Sequence, residues 1–412
     1  MALESLIALE RDGRYSNLEI NSALVASSLE GADRGLYTRL VYGVTERRIT
    51  LDYIIGKYSR IPADGLDPDV RCALRMGIYQ LVWMDRIPEH AAVGESAGLV
   101  ARRSTGFVNA ILRSFLRDGK KYDLPDKTAD FMEYLSVAYS VPRDLCELLY
   151  RSAGEEIEPL LEAMNREPQI ALRVNRLKIS AEEAAEKVSG TVSAIAPDIV
   201  KVPSLDETVK AGMEEGLWFV QDEASRITSA SVGAKPGEVI VDTCACPGGK
   251  SFSMAIDMEN RGTLYSFDLH KNKLSLIRSG AAKLGITIIE TGARDAREPA
   301  ETLIGKADRV LCDAPCSGLG VIAKKPDIRY RDLSSVGRLP EVQYPVLCGA
   351  AAYVKDDGVL VYSTCTINRA ENEEIVEKFL GEHPEFNLET MRTFWPHRDG
   401  CDGFFCAVMT KN

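Results

Sequence analysis

The chain has 412 residues, 45% hydrophobic and 27% charged, the balance of a folded globular protein with room for two or three domains and not of a disordered one. No uninterrupted apolar run is long enough to span a bilayer, and Met1 to Glu10 carries acids where a secretory signal is basic, so a cytoplasmic protein without membrane contact is expected. A net charge of −11 excludes a binder that relies on bulk positive charge, so any RNA contact must come from local basic patches.

Those patches are few. Residues 1–120 hold 16 Lys+Arg against 15 Asp+Glu, which leaves about −12 for the remainder. Arg102-Arg103 with Arg113 and Arg117 form one candidate, and Lys324-Lys325 with Arg329 and Arg331 another; both also read as solvated helix faces. The ten cysteines suit a reducing compartment. None forms a C-x-x-C pair and only four His are present, so no metal site is expected.

Residues 1–125 read as helix after helix. Ser16 and Asn17 start one through Ile20 and Leu24, and apolar positions recur from Arg34 to Ile55. Pro62 and Pro68 punctuate a loop before a helix bearing Val70, Leu74, Ile78 and Leu81. Pro88 ends that helix, a small-residue helix runs over Ala91–Val100, and Phe107–Leu116 is amphipathic. Residues 126–235 form a mixed segment. Helical patterns cover Tyr139–Tyr150 and Glu155–Asn165, a strand covers Ile170–Val174, and a helix follows Ser180 with Glu182-Glu183 in its first turn. "DIVKVP" and "LWFVQDEAS" read as further strands, making a small α+β module.

Residues 236–412 alternate strand and helix. Strand patterns cover Val239–Ala245, Thr263–Phe267, Ile286–Glu290, Arg309–Cys312, Val359–Tyr362 and Phe404–Met409. Helical patterns cover Lys271–Leu284, Val336–Val354 and Ala370–Leu380, so one parallel sheet covered on both faces is expected. Ligands of such sheets sit beyond the carboxyl ends of the strands. The first strand runs into Cys244-Ala245-Cys246-Pro247-Gly248-Gly249-Lys250, a glycine turn feeding a helix, which suits a nucleotide-like cofactor. Asp268 ends the second strand, 18 residues past Lys250, where an acid accepts from ribose hydroxyls. Asp295 follows the third strand, Asp313 and then Cys316 follow the fourth, and Cys365 ends the fifth. Acids and cysteines repeated at successive strand ends exceed what helix capping alone requires. Cys72, Cys146, Cys312, Cys348, Cys401 and Cys406 read as packing residues.

The words "LVYGVTERRITLDYII", "LRMGIYQLVWMDRIPEHAAVGESAGLV" and "VNAILR" resemble the NusB-type helical RNA-binding domain. "DTCACPGGKS", "DAPCSGLGV", "YSTCT" and "DGFF" resemble RNA (cytosine-5) methyltransferases, and over nearly the full length the chain is similar to the RsmB/Sun type that modifies small-subunit (16S) ribosomal RNA. The resemblance implies an N-terminal NusB-like domain, a small α+β middle module and a Rossmann-like class I methyltransferase domain. It implies S-adenosylmethionine as cofactor, held by Cys244 to Lys250, Asp268, Asp295 and Asp313. It makes Cys365 the nucleophile and Cys316 the residue that assists product release, with Asp313 on the base near N3 and Lys250 beside the same pocket. A thiolate adding at C6 turns the unreactive C5 into a nucleophile, which is the chemical use of such a cysteine. Two departures stand out: Cys246 replaces the usual Ala, and the stretch around Gln343 and Leu347 has unusual neighbours. Action on another RNA such as tRNA, a DNA cytosine-5 methyltransferase and a non-catalytic antitermination module are the other readings. A DNA enzyme would use the Pro-Cys cysteine as nucleophile and would lack a counterpart of Cys365. A monomer is the default expectation.

Overall fold

The computed structural model describes residues 1–12 and 16–412. The chain forms two compact units, Met1–Arg166 with Ile322–Arg331, and Glu167–Val321 with Asp332–Asn412. No helix among the described residues is long and apolar enough to cross a membrane.

The first unit is helical. Gly31–Glu46, Arg48–Tyr58, Pro68–Trp83, Glu89–Gly98 and Arg102–Arg117 surround a core in which Leu51, Ile54, Cys72, Leu74, Ile78, Leu112 and Phe115 are inaccessible. The apolar run from Arg34 to Ile55 is therefore two helices, which meet at Arg47. Ala2–Asp12, Ser16–Ala26, Phe131–Tyr139, Arg143–Ala153 and Ile157–Ala163 also belong to this unit, Pro142 standing just before Arg143–Ala153, where its fixed φ suits a helix start.

The short segment Ile322–Arg331 is part of the same helical unit. Arg329 is buried, and its Nη1 donates to the carbonyls of Glu46 at 3.0 Å and Ser140 at 3.2 Å and to Asn165 Oδ1 at 3.0 Å. Those carbonyls belong to helix C-terminal ends, where a cation complements the dipole. Tyr330 donates to the Thr45 carbonyl at 2.9 Å, and the Arg48 guanidinium lies 3.6 Å from the centre of its ring. Within the basic cluster around Lys324, Arg329 is thus a buried cap and not an exposed cation. By contrast Arg102, Arg103, Arg113 and Arg117 are all exposed along one helix.

The second unit holds two sheets. In the smaller, β1 (Ile170–Val174), β2 (Thr191–Val192), β3 (Ile199–Val202) and β4 (Trp218–Val220) run antiparallel in the order β2-β3-β1-β4. Its helix Ala181–Lys187 starts with a capping box between Ser180 and Glu183, as the sequence predicts. In the larger, β5 (Val239–Asp242), β6 (Thr263–Asp268), β7 (Ile289–Ala293), β8 (Ala307–Asp313), β9 (Val354–Thr364), β10 (Phe386–Phe394) and β11 (Phe404–Lys411) take the order β10-β11-β9-β8-β5-β6-β7.

The sheet is mixed and not wholly parallel. β9, β8, β5, β6 and β7 are parallel, but β11 pairs antiparallel with β9, and β10 antiparallel with β11. Strand β10 escapes sequence patterning because most of "FNLETMRTF" is exposed, as an edge strand tolerates. Its order turns at β5, flanked by β6 and β8, which is the switch point where a doubly wound sheet opens its ligand crevice. Arg173 of β1 and Arg226 share Asp198, and Arg226 also holds Asp257 at 2.8 Å, so a buried ionic cluster ties the small sheet to the end of the helix Gly249–Asp257.

Candidate active site

The carboxyl ends of β5, β6, β8 and β9 carry the polar groups. β5 ends at Asp242, whose Oδ2 accepts from Ser251 Oγ at 2.7 Å; Ser266 Oγ in turn donates to Ser251 Oγ at 2.9 Å. Its Oδ1 is buried with no partner, and burial pushes the Asp242 carboxyl up to about 7.

The loop that follows wraps towards β6. Ala245 N–H donates to the Phe267 carbonyl at 2.8 Å, and Cys246 N–H donates to Asp268 Oδ2 at 3.3 Å. The Cys246–Pro247 peptide is cis. Gly248 has φ +116°, and a Cβ there would lie 2.5 Å from the Phe252 ring, so both conformation and space demand glycine. Gly249 then opens the helix that carries Lys250 and Ser251. Cys244 is half-buried, and burial drives its thiol well up; the Cys246 thiol is pushed to about 12 by burial and by Asp268. Both are small packing groups of the loop.

Lys250 and Asp313 meet across the β5–β8 boundary. Lys250 Nζ lies 2.6 Å from Asp313 Oδ2, while Ser363 Oγ donates to Asp313 Oδ1 at 2.8 Å. The Phe404 ring centre lies 4.9 Å from the same Nζ, so the ammonium stacks on an aromatic face. Burial works against the Lys250 charge, yet Asp313 outweighs it and raises its pKa. Beyond this pair, Cys316 Sγ and Cys365 Sγ are 3.2 Å apart. The hydrogen bond to Cys365, together with burial, lifts the Cys316 thiol well above its usual value.

The residues expected from sequence therefore divide. The structure brings Lys250, Asp313, Cys316 and Cys365 into one cluster, and Cys246 and Asp268 into another at the adjoining strand ends. Beyond β7, Arg297 holds the Asp295 carboxylate through Nε at 2.9 Å and backbone N–H at 3.0 Å, which lowers its pKa to about 2. Sequence reasoning missed Ser251, Ser363 and Glu371. Ser363 was within reach, since it precedes the Thr-Cys-Thr motif on a strand end. Phe404 lies in the "DGFF" word without having had a role. Glu371 gave no signal, because "RAENEE" reads as an acidic helix start.

The site can be tested against a methyl-donor cofactor. The Gly248-Gly249 turn leaves backbone open at a helix start, Asp268 presents a carboxylate at the second strand end, and Asp242 Oδ1 is a buried acceptor that a bound cation would satisfy. A sheet with its switch point at this turn and an acid at the next strand end is the arrangement that class I S-adenosylmethionine-dependent methyltransferases share with other nucleotide-cofactor folds. Family models agree: "16S rRNA methyltransferase RsmB/F" matches residues 230–410, the "NusB family" 1–117, and an RsmF/B-like ferredoxin-like domain 141–197. The chain is 37% identical to a probable ribosomal RNA small subunit methyltransferase B of Bacillus subtilis, over 100% of this chain and 98% of that one, and 32% identical to its Synechocystis counterpart, over 98% and 97%. It belongs to the ribosomal RNA small subunit methyltransferase B family. The crystal structure of PH0851 matches with a TM-score of 0.81 at 29% identity, covering 100% of this chain and 98% of that one. The protein is an RNA methyltransferase that uses S-adenosylmethionine.

Proposed function

We propose that this protein methylates C5 of a cytosine in small-subunit (16S) ribosomal RNA through a covalent adduct between Cys365 and C6 of the base. The observation that carries the reading is the thiol pair: Cys316 and Cys365 stand 3.2 Å apart on neighbouring strand ends, beside the Lys250–Asp313 ion pair. The names of the relatives point to the same RNA.

The chemistry follows from these positions. Cys365 Sγ forms a bond to C6, and the C5=C6 electron pair moves onto C5. S-adenosylmethionine supplies the methyl group that C5 accepts. The C5 proton then leaves to a base, the C5=C6 bond re-forms, and the Cys365 Sγ–C6 bond breaks to return a thiolate. Cys316 assists this release. Lys250 favours the Cys365 thiolate electrostatically, and Asp313 is placed to hydrogen-bond the ring near N3. For the cofactor, loop amides from Cys244 to Lys250 hold the methionine portion, Asp268 the ribose, and Asp295 the adenine side. The base must leave its stack to reach Cys365, so the target is unpaired or flipped. The exposed Arg102, Arg103, Arg113 and Arg117 give the helical unit its phosphate-contacting face.

The test is labelled methyl transfer to unmodified small-subunit RNA, resolved on denaturing gels. Cys365→Ala should abolish transfer, and Cys316→Ala should leave a covalent protein–RNA band. Full activity in Cys365→Ala, or no change in adduct with either variant, sinks the assignment.

A further inference from the structure

Glu371 has no role in the proposed chemistry. It is fully buried in the turn Arg369–Glu371, six residues past Cys365. Its Oε1 accepts from Ser317 Oγ at 2.6 Å and Asn368 Nδ2 at 2.9 Å. Its Oε2 accepts from Ser317 N–H at 2.8 Å and Gln343 Nε2 at 3.0 Å. All four donors are neutral, so hydrogen bonds from uncharged groups hold this buried carboxyl group in place.

Two facts make that arrangement more than structural cement. First, the donors come from the segments that carry the cysteines. Ser317 directly follows Cys316, and Gln343 also donates to the Pro315 carbonyl at 3.0 Å, directly before it. Asn368 belongs to the loop that follows Cys365, where Thr366 Oγ1 lies 2.8 Å from Ser317 Oγ. Second, the groups facing the two thiols differ: Lys250 acts on Cys365, whereas on Cys316 the Cys365 hydrogen bond and burial are joined by the carboxylates of Glu371 and Asp313, all opposing its ionisation. A negative charge opposes ionisation of a nearby thiol, and a positive one favours it.

We propose that Glu371 is a positioning residue that registers the Cys316 loop against the Cys365 loop and, by facing Cys316, helps to keep the proton on that thiol rather than on Cys365. With Glu371 in place Cys316 keeps its proton and donates it in an S–H···S hydrogen bond, while Cys365 becomes the thiolate that attacks. The sequence of roles thus depends on a carboxylate that touches neither sulfur. The inference rests on the two-cysteine reading for its consequence in catalysis, but not for its effect on the thiols themselves.

The experiment alkylates the full-length protein with iodoacetamide across pH 6–10 and maps each cysteine by mass spectrometry, without RNA. In the unaltered protein Cys365 should react at lower pH than Cys316. Glu371→Gln removes the charge and sets an amide against two of the four donors. It should bring the onset of Cys316 alkylation down by about one pH unit, the size of effect one nearby charge produces. It should also slow methyl transfer at least ~10-fold with S-adenosylmethionine affinity unchanged. Glu371→Asp keeps the charge and shortens the reach, and should slow transfer while leaving the Cys316 onset in place; it also serves if the Gln variant fails to fold. An unchanged Cys316 onset in Glu371→Gln overturns the proposal, as does a shifted onset in Glu371→Asp. Because alkylation needs no RNA, a failed methyl-transfer assay with a shifted onset would condemn the RNA reading alone.

Discussion

Gly320 and Gly403 touch backbone to backbone. Gly403 N–H donates to the Gly320 carbonyl at 2.8 Å, and a Cβ on Gly320 would fall 1.9 Å from the Gly403 carbonyl oxygen. Gly320 N–H donates in turn to the Cys365 carbonyl at 3.1 Å, so this contact braces the loop that carries Cys365. Gly320→Ala cannot be accommodated without moving backbone, and the shift passes directly to Cys365. Methyl transfer should drop by roughly 100-fold, the cost of a displacement near 1 Å at a reacting group. Cofactor affinity measured by calorimetry should stay within about two-fold, and wild-type turnover in this variant would refute the bracing role.

Lys250→Met should act on acidity more than on binding. Removing the ammonium leaves Asp313 as a net negative charge beside Cys365, which disfavours the thiolate. The acid limb of the single-turnover rate profile should therefore move to higher pH, with the rate at pH 7 down about 10- to 100-fold. A uniform fall at every pH would mean that Lys250 acts only by position.

Asp242 predicts a pH dependence of stability. Its folded pKa of about 7 lies above the model-compound value of 3.8, so its contribution is fully present below 3.8 and is lost as pH rises through 7. Without cofactor, the melting temperature of the protein should fall across that window relative to Asp242→Asn, whose side chain takes no charge. At pH 8 the variant should melt several degrees higher. Parallel melting curves from pH 4 to 8 would contradict the raised value.

Arg329→Met tests the first unit alone. The change withdraws the donor shared by Glu46, Ser140 and Asn165 and leaves buried carbonyls unsatisfied. Each such acceptor costs about 1–3 kcal/mol, so chemical denaturation should show the helical unit weakened by at least ~2 kcal/mol. Cofactor affinity should not change.

The motifs made the site legible because they are local: a glycine turn after a strand, acids at strand ends and two cysteine words all lie in short stretches whose geometry follows from chain order. Asp313 and Ser363 lie opposite each other on neighbouring strands, and that register follows once the strands are found. What escaped depends on pairings between distant segments. Glu371 is recognisable only when Ser317 and Gln343 are seen to converge on it. The antiparallel β10 carries no apolar alternation, so the sheet reads as wholly parallel until its edge is built. Arg329 looked like part of a basic patch because burial cannot be read from charge. The tie of Asp295 to Arg297 is a matter of side-chain conformation and leaves no sequence signal.

The membership of Ile322–Arg331 in the helical unit has a bearing on the order in which the protein is made. The other helices of that unit end with Ala163, yet the residue that caps them, Arg329, lies roughly 160 residues further along the chain. At about 5–20 residues per second, a ribosome needs on the order of 8–30 s to deliver it. For that interval the nascent helical unit carries an empty socket at Glu46 and Ser140, and it closes only once β5 to β8 and the Cys316 loop have emerged.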